Sequence, residues 1–99
     1  MQITFSFRNV DSSDAVRSYC SEKVNRLQKF LRAPLVAEVT ISMERHLHVV
    51  DISVQADGGR YAGREESDDM YSSIDLCVDK IDRQVRDAKA TQTTRKRHG

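Results

Sequence analysis

Along this chain the apolar positions switch between a period of two and a period near 3.6, and the order of the switches restricts the fold more than any other feature. Gln2–Arg8 alternates strictly, with Ile3, Phe5 and Phe7 against Gln2, Thr4, Ser6 and Arg8, as a half-buried strand does. "NVDSSD" comes next, rich in turn and cap formers. Ser12 or Ser13 is placed to cap a helix, with Asp14 in the first turn where a negative charge suits the dipole. Val16, Tyr19, Cys20, Val24, Leu27, Phe30 and Leu31 then recur at spacings of three and four, which predicts one apolar helix face ending near Arg32. Pro34 bars its continuation.

Val36–Glu44 alternates again, with Ala37, Val39, Ile41 and Met43 on one side. After a turn within "RHLHV", Val50, Ile52, Val54 and Ala56 alternate with Asp51, Ser53 and Gln55. "DGG" at 57–59 is a strong hairpin signal. Residues 60–66 predict a fourth, weaker strand, and "DDMYSSIDLCVDKIDRQVRDAKA" at 68–90 predicts a second amphipathic helix. The expected order is β-α-β-β-β-α, an α+β fold in which a four-stranded sheet carries two helices on one face. The first helix is expected to be a right-handed crossover between parallel strands, and strands two to four an antiparallel meander. The other sheet face would be polar, with Thr4, Ser6, Arg8, Thr40, Ser42 and Ser53. Residues 1–91 are expected to form one domain, and 92–99, which lack apolar periodicity, a basic mobile tail.

Composition narrows the classes. With 99 residues, 38% hydrophobic, 31% charged and a single proline, a compact single domain is expected rather than a disordered chain. Cys20 and Cys77 form neither a CxxC pair nor a multi-cysteine framework; both lie on or beside the helix stripes and read as small core residues. The N-terminus has no basic start or long apolar run, so neither a signal peptide nor a membrane segment is expected, and a reduced cytoplasmic setting is the default.

Charge is distributed unevenly despite a net of +1. Residues 65–79 hold six acids and no base, whereas 80–99 hold seven bases (Lys80, Arg83, Arg86, Lys89, Arg95, Lys96, Arg97) against Asp82 and Asp87. On a helical wheel of about 100° per residue, Ile74, Val78, Ile81 and Val85 form a narrow apolar stripe, and the four helical bases run across the side facing away from it. Two explanations compete. Bases near a helix C-terminus complement the macrodipole and solvate an exposed face. A basic terminal block on a near-neutral domain also suits a polyanionic partner, and "RKR" at 95–97 would extend it with phosphate contacts.

No other constellation makes a case for chemistry. His46 and His48 lie two apart near a hairpin tip, but a metal site needs a third ligand, and His98 sits in the tail. They could instead touch RNA alongside Arg45. Tyr71 is either half-buried or exposed for base stacking. Asp68 and Asp69 are natural helix caps. There is no phosphate loop, dinucleotide fingerprint or GxSxG, so no enzyme, cofactor or small-molecule substrate is expected.

The stretch at 68–89 resembles the hibernation promoting factors and ribosome-associated inhibitors, whose members share a "DMYxAID…DKLxRQLxxxK" pattern. Asp69, Met70, Tyr71, Ile74, Asp75, Asp79, Lys80, Arg83, Gln84 and Lys89 match; Ser73 stands where alanine is usual, and Ile81 and Val85 replace leucines. Gly58, Gly59, Asp51 and the opening "MQI" with Asn9 and Val10 also fit. The family fold is similar to double-stranded RNA-binding domains. The resemblance implies binding to the small ribosomal subunit and its rRNA in the messenger and transfer RNA channel at the A and P sites. Translation would thereby be silenced and idle ribosomes preserved in stationary phase or stress. It carries rRNA contact to Lys80, Arg83 and Lys89 by motif, to Arg86 by proximity, and to Arg45 and His48 at the hairpin, with Arg95, Lys96 and Arg97 in the tail. The chain resembles the short form, which promotes ribosome dimerisation with a second small hibernation factor, unless it is a fragment. The alternatives are a generic double-stranded RNA-binding module and a small metal-dependent enzyme built on His46 and His48.

Overall fold

The computed structural model describes the backbone of residues 1–98 and the side chains of residues 1–90. Its elements are β1 (Gln2–Arg8), α1 (Asp14–Asn25), a 3-10 turn (Arg26–Phe30), β2 (Val36–Glu44), β3 (Leu47–Ala56), β4 (Gly59–Ser67) and α2 (Met70–His98). The sheet runs β1-β2-β3-β4, with β1 parallel to β2 and the other pairs antiparallel. This is the expected β-α-β-β-β-α order. A tail separate from the second helix was expected at 92–99; those residues fall within the bounds of α2 and at Gly99, and their side chains lie outside the described residues.

Each alternating run puts its apolar set on the helix side. Phe5, Val39, Ile52 and Gly63 lie side by side across the sheet, flanked by the rows Ile3–Ala37–Val54–Tyr61 and Phe7–Ile41–Val50–Glu65. Cys20, Val24 and Leu27 descend on these rows from the α1 side, and Ile74, Cys77, Val78, Ile81 and Val85 from α2, in one contiguous core. Each fully buried aliphatic side chain there contributes on the order of 1.5–3 kcal/mol.

Local chemistry sets the element ends. Ser13, extended at φ −140°, caps α1 by accepting from the Val16 N–H at 3.2 Å, which resolves the choice between Ser12 and Ser13. The expected helix to Arg32 instead tightens to 3-10 after Asn25. The Gln28 side chain organises the segment leading into β2, donating to the Ala33 carbonyl at 2.8 Å and accepting from the Leu35 N–H at 2.9 Å. Leu27 and Leu31 remain buried through this change. Asp69 caps α2, accepting from the Ser72 N–H at 2.9 Å.

Both hairpins close on two residues. Asp57 (φ 54°) and Gly58 (φ 76°) form the β3–β4 turn, where the left-handed backbone makes glycine the natural second residue. Arg45 sits at φ 59° in the β2–β3 turn, an uncommon conformation for a long side chain.

Candidate nucleic-acid interface

α2 is fastened to the sheet at three levels. At its start Ser73, fully buried, donates to the His48 carbonyl at 2.8 Å and lies 2.7 Å from the Ser67 hydroxyl. In the middle, the Gln84 amide pairs with the edge of β4, accepting from the Ala62 N–H at 3.2 Å and donating to its carbonyl at 2.8 Å. It thereby imitates a neighbouring strand over one residue of an otherwise open edge. Further on, the Lys89 ammonium meets the Asp57 carboxylate at 2.6 Å.

This attachment determines which bases face outward. Lys80 lies at the β4 flank, its ammonium 2.9 Å from Glu65. Glu65 occupies a helix-side position of the edge strand and reaches up beside the helix. Arg86 meets Asp82 one turn back at 3.4 Å, a solvated pair of the kind worth under about 1 kcal/mol and readily exchanged for a phosphate. Arg83 is exposed and, among the described residues, has no carboxylate within 4.0 Å. Lys80, Arg83 and Arg86 thus form an accessible stripe on the outer side of α2. Lys89 is half-buried. Asp57 is held well below the usual carboxylate range, first by the Lys89 hydrogen bond and then by the Arg32 and Ala33 N–H groups, so its carboxylate is ionised at neutral pH.

Arg45 and His48 lie on a different element from that stripe. They belong to the β2–β3 end of the sheet, over which α2 begins, whereas Lys89 lies over the β3–β4 turn. Measured along the helix from Ser73, the stripe begins about 10 Å away at Lys80 and reaches about 20 Å at Arg86. Arg45 is exposed at the tip. His48 is half-buried on the helix side, between Met43 and Ser67 in the register, and its Nδ1 has no hydrogen-bond partner. Arg95, Lys96 and Arg97 have side chains outside the described residues.

Bases absent from the predicted set sit across from α2, Lys23 on α1 and Arg26 and Lys29 on the 3-10 turn that follows it. Lys23, Arg26 and Lys29 line one wall of a groove of about 360 Å³ between α1 and α2, with Leu27 and Val78 between the walls and Asp75, Asp79 and Asp82 opposite. Tyr19 bridges the helices, donating to Asp75 at 2.7 Å and packing edge-on to Tyr71 at 4.9 Å. Tyr71 is itself exposed. The signal for these bases was present as a three-residue spacing, but it trails the apolar stripe of α1 and reads as solvation.

The remaining candidates for chemistry are held apart. Cys20 and Cys77 are free and fully buried, and burial pushes both thiols up to about 12. No group of three or more His, Cys, Asp or Glu among the described residues is placed to hold a metal ion. No helix among the described residues is long and apolar enough to cross a membrane.

A mixed four-stranded sheet, backed on one face by two helices and carrying an accessible row of bases on the second, defines a small α+β domain with a basic helix surface. Comparison with known proteins narrows the class. The Sigma 54 modulation protein / S30EA ribosomal protein family matches residues 3–93, and the chain belongs to that family. A ribosome hibernation promoting factor of Azotobacter vinelandii is 32% identical over 95 residues, covering 96% of this chain and 89% of that protein. The Escherichia coli K12 protein of the same name is 28% identical over 85 residues, covering 86% and 90%. The Thermus thermophilus Protein Y N-terminal domain superposes with a TM-score of 0.82 at 34% identity, over 86% of this chain and 96% of that one. A ribosomal subunit interface protein from Coxiella burnetii gives 0.78 at 26%, over 91% and 99%.

Proposed function

We propose that this chain is a ribosome hibernation factor. In this reading it binds the small ribosomal subunit through rRNA in the A- and P-site channel, blocks messenger and transfer RNA from entering, and keeps idle ribosomes intact in the cytoplasm. The observation that carries it is the accessible stripe of Lys80, Arg83 and Arg86 on a helix clamped to the sheet by Gln84, in a chain of this family. Relatives that bear the name ribosome hibernation promoting factor support the biological role. The chemistry is positional: a fixed row of cations occupies rRNA phosphates and the domain fills the path of the substrates, with no bond made or broken.

Arg45 supports a second contact at the hairpin. Its left-handed backbone would be met at lower cost by glycine or asparagine, and strain of this kind is retained where a side chain is used. Arg95, Lys96 and Arg97 would add phosphate contacts beyond the stripe. Promotion of ribosome dimerisation, with a second small factor, belongs to the same proposal.

The test is co-sedimentation with purified small subunits across a salt series. Wild-type affinity should fall steeply with salt. Lys80→Ala/Arg83→Ala/Arg86→Ala should bind more weakly at low salt, with a log–log salt slope shallower by about 2–3. An unchanged slope for that variant would remove the stripe from the interface. Equal wild-type affinity for an arbitrary RNA duplex would favour the generic double-stranded RNA-binding alternative, which reads A-form shape alone.

A further inference from the structure

We propose that Lys89 serves the basic face as a positioning residue, not as a phosphate ligand, and that it acts through Asp57. This rests on the function proposed above and reassigns a residue that the family pattern would make an rRNA contact.

The Asp57 carboxylate is a three-way junction. Oδ1 accepts the Ala33 N–H at 2.8 Å; Oδ2 accepts the Arg32 N–H at 2.9 Å and the Lys89 ammonium at 2.6 Å. One side chain thus joins the β3–β4 turn, the segment entering β2 and the helix. Its own backbone is left-handed, at φ 54°, which directs the carboxylate from the turn toward these partners. Among the described residues the pair is also the most enclosed of the α2 ion pairs: the Lys89 and Asp57 side chains are 27% and 13% exposed, against 49% for Lys80 and 55% for Arg86.

Two consequences separate Lys89 from its neighbours. A phosphate approaching its ammonium would stand within a few ångströms of an ionised carboxylate already bound there, and like charges at that range repel. Lys80 and Arg86 are themselves more exposed, and water can replace their carboxylate partners. Val85 is the last buried apolar residue of α2 within 70–90, so the next turn leaves the apolar core and is tied to the sheet through Lys89 and Asp57. Arg86 lies between these two anchors, and Arg83 just before them. The latch therefore sets the direction in which the outer bases point.

The test compares Lys89→Met, Asp57→Asn, their combination and Arg83→Met, each for binding to small subunits against salt and for unfolding in urea. A phosphate ligand lost from the face lowers the salt slope by about 1, and Arg83→Met should do so with an unchanged urea midpoint. Lys89→Met should keep the wild-type slope, lower the urea midpoint and weaken binding several-fold at all salt concentrations. Asp57→Asn should weaken binding to a similar extent although it removes a negative charge, and the double variant should be no worse than the singles. Lys89→Met losing about one unit of slope at an unchanged midpoint would overturn the assignment. So would Asp57→Asn binding more tightly than wild type, as unscreened attraction to phosphate requires. If wild-type protein does not bind small subunits, the proposed function falls. The latch is then still decided by the urea midpoints, where additive losses in the double variant would reject it.

Discussion

Several residues of this chain do two things, and the sequence displays one of them. Asp57 reads as the first half of a hairpin turn, which it is; its carboxylate partners lie 24, 25 and 32 positions away, so the junction it forms is invisible to any local pattern. Ser73 reads as a polar residue in an apolar stretch, yet it is fully buried with its hydroxyl bonded to the His48 carbonyl of β3. Arg45 occupies a left-handed position that no propensity assigns to arginine. The cysteines, by contrast, were legible from helical spacing alone. They carry a pH dependence. In the folded chain both thiols keep their protons up to about 12, whereas in the unfolded chain they ionise from the ordinary value of 9.0. The unfolded state therefore binds fewer protons through that window, and stability falls as pH rises across it. Urea unfolding at about pH 8 and about pH 10 should show a larger loss for wild type than for Cys20→Ala/Cys77→Ala, and equal losses would contradict it.

At the scale of elements, the period-two and period-3.6 runs located every strand and helix because each element buries one face. Two of the departures have physical causes. The first helix tightens to 3-10 after Asn25, before the Gln28 side chain takes over the backbone groups around Ala33 and Leu35. The fourth strand looked weak because its helix-side positions are Tyr61, Gly63 and Glu65, of which one carries a large apolar side chain. The structure explains that weakness. A Cβ on Gly63 would stand 3.4 Å from the Lys80 Cδ and 3.5 Å from the Cys77 carbonyl and Sγ, so the missing side chain lets α2 lie close on β4. Glu65 then reaches Lys80 from below. Gly63→Ala should be tolerated, whereas Gly63→Leu should lift the helix and cost about 1–3 kcal/mol in urea unfolding. A leucine variant as stable as the alanine variant would show that the helix does not depend on this close approach.

For the molecule as a whole, fold and family were readable in the chain, since an α2 motif with apolar, acidic and basic positions in one register leaves few alternatives. What the sequence merged, the structure separates. Lys80, Arg83, Arg86 and Lys89 form one basic run in the chain. In space the first three form an accessible stripe, and the fourth is enclosed against Asp57. Arg45 belongs to the end of the sheet where α2 begins, about 24 Å along the helix from Lys89. Lys23 of α1 and Arg26 and Lys29 of the 3-10 turn add cations across the groove from α2, bases outside the set predicted from sequence. The proposed function requires the outer face of α2 to lie on rRNA inside the decoding channel. Hydroxyl-radical footprinting of the small subunit, with and without the protein, reads that placement without an intermediary. Protection of the rRNA backbone lining the A and P sites is expected, and its loss with Lys80→Ala/Arg83→Ala/Arg86→Ala. Protection confined to rRNA elsewhere on the subunit, or unchanged by that variant, would contradict the placement.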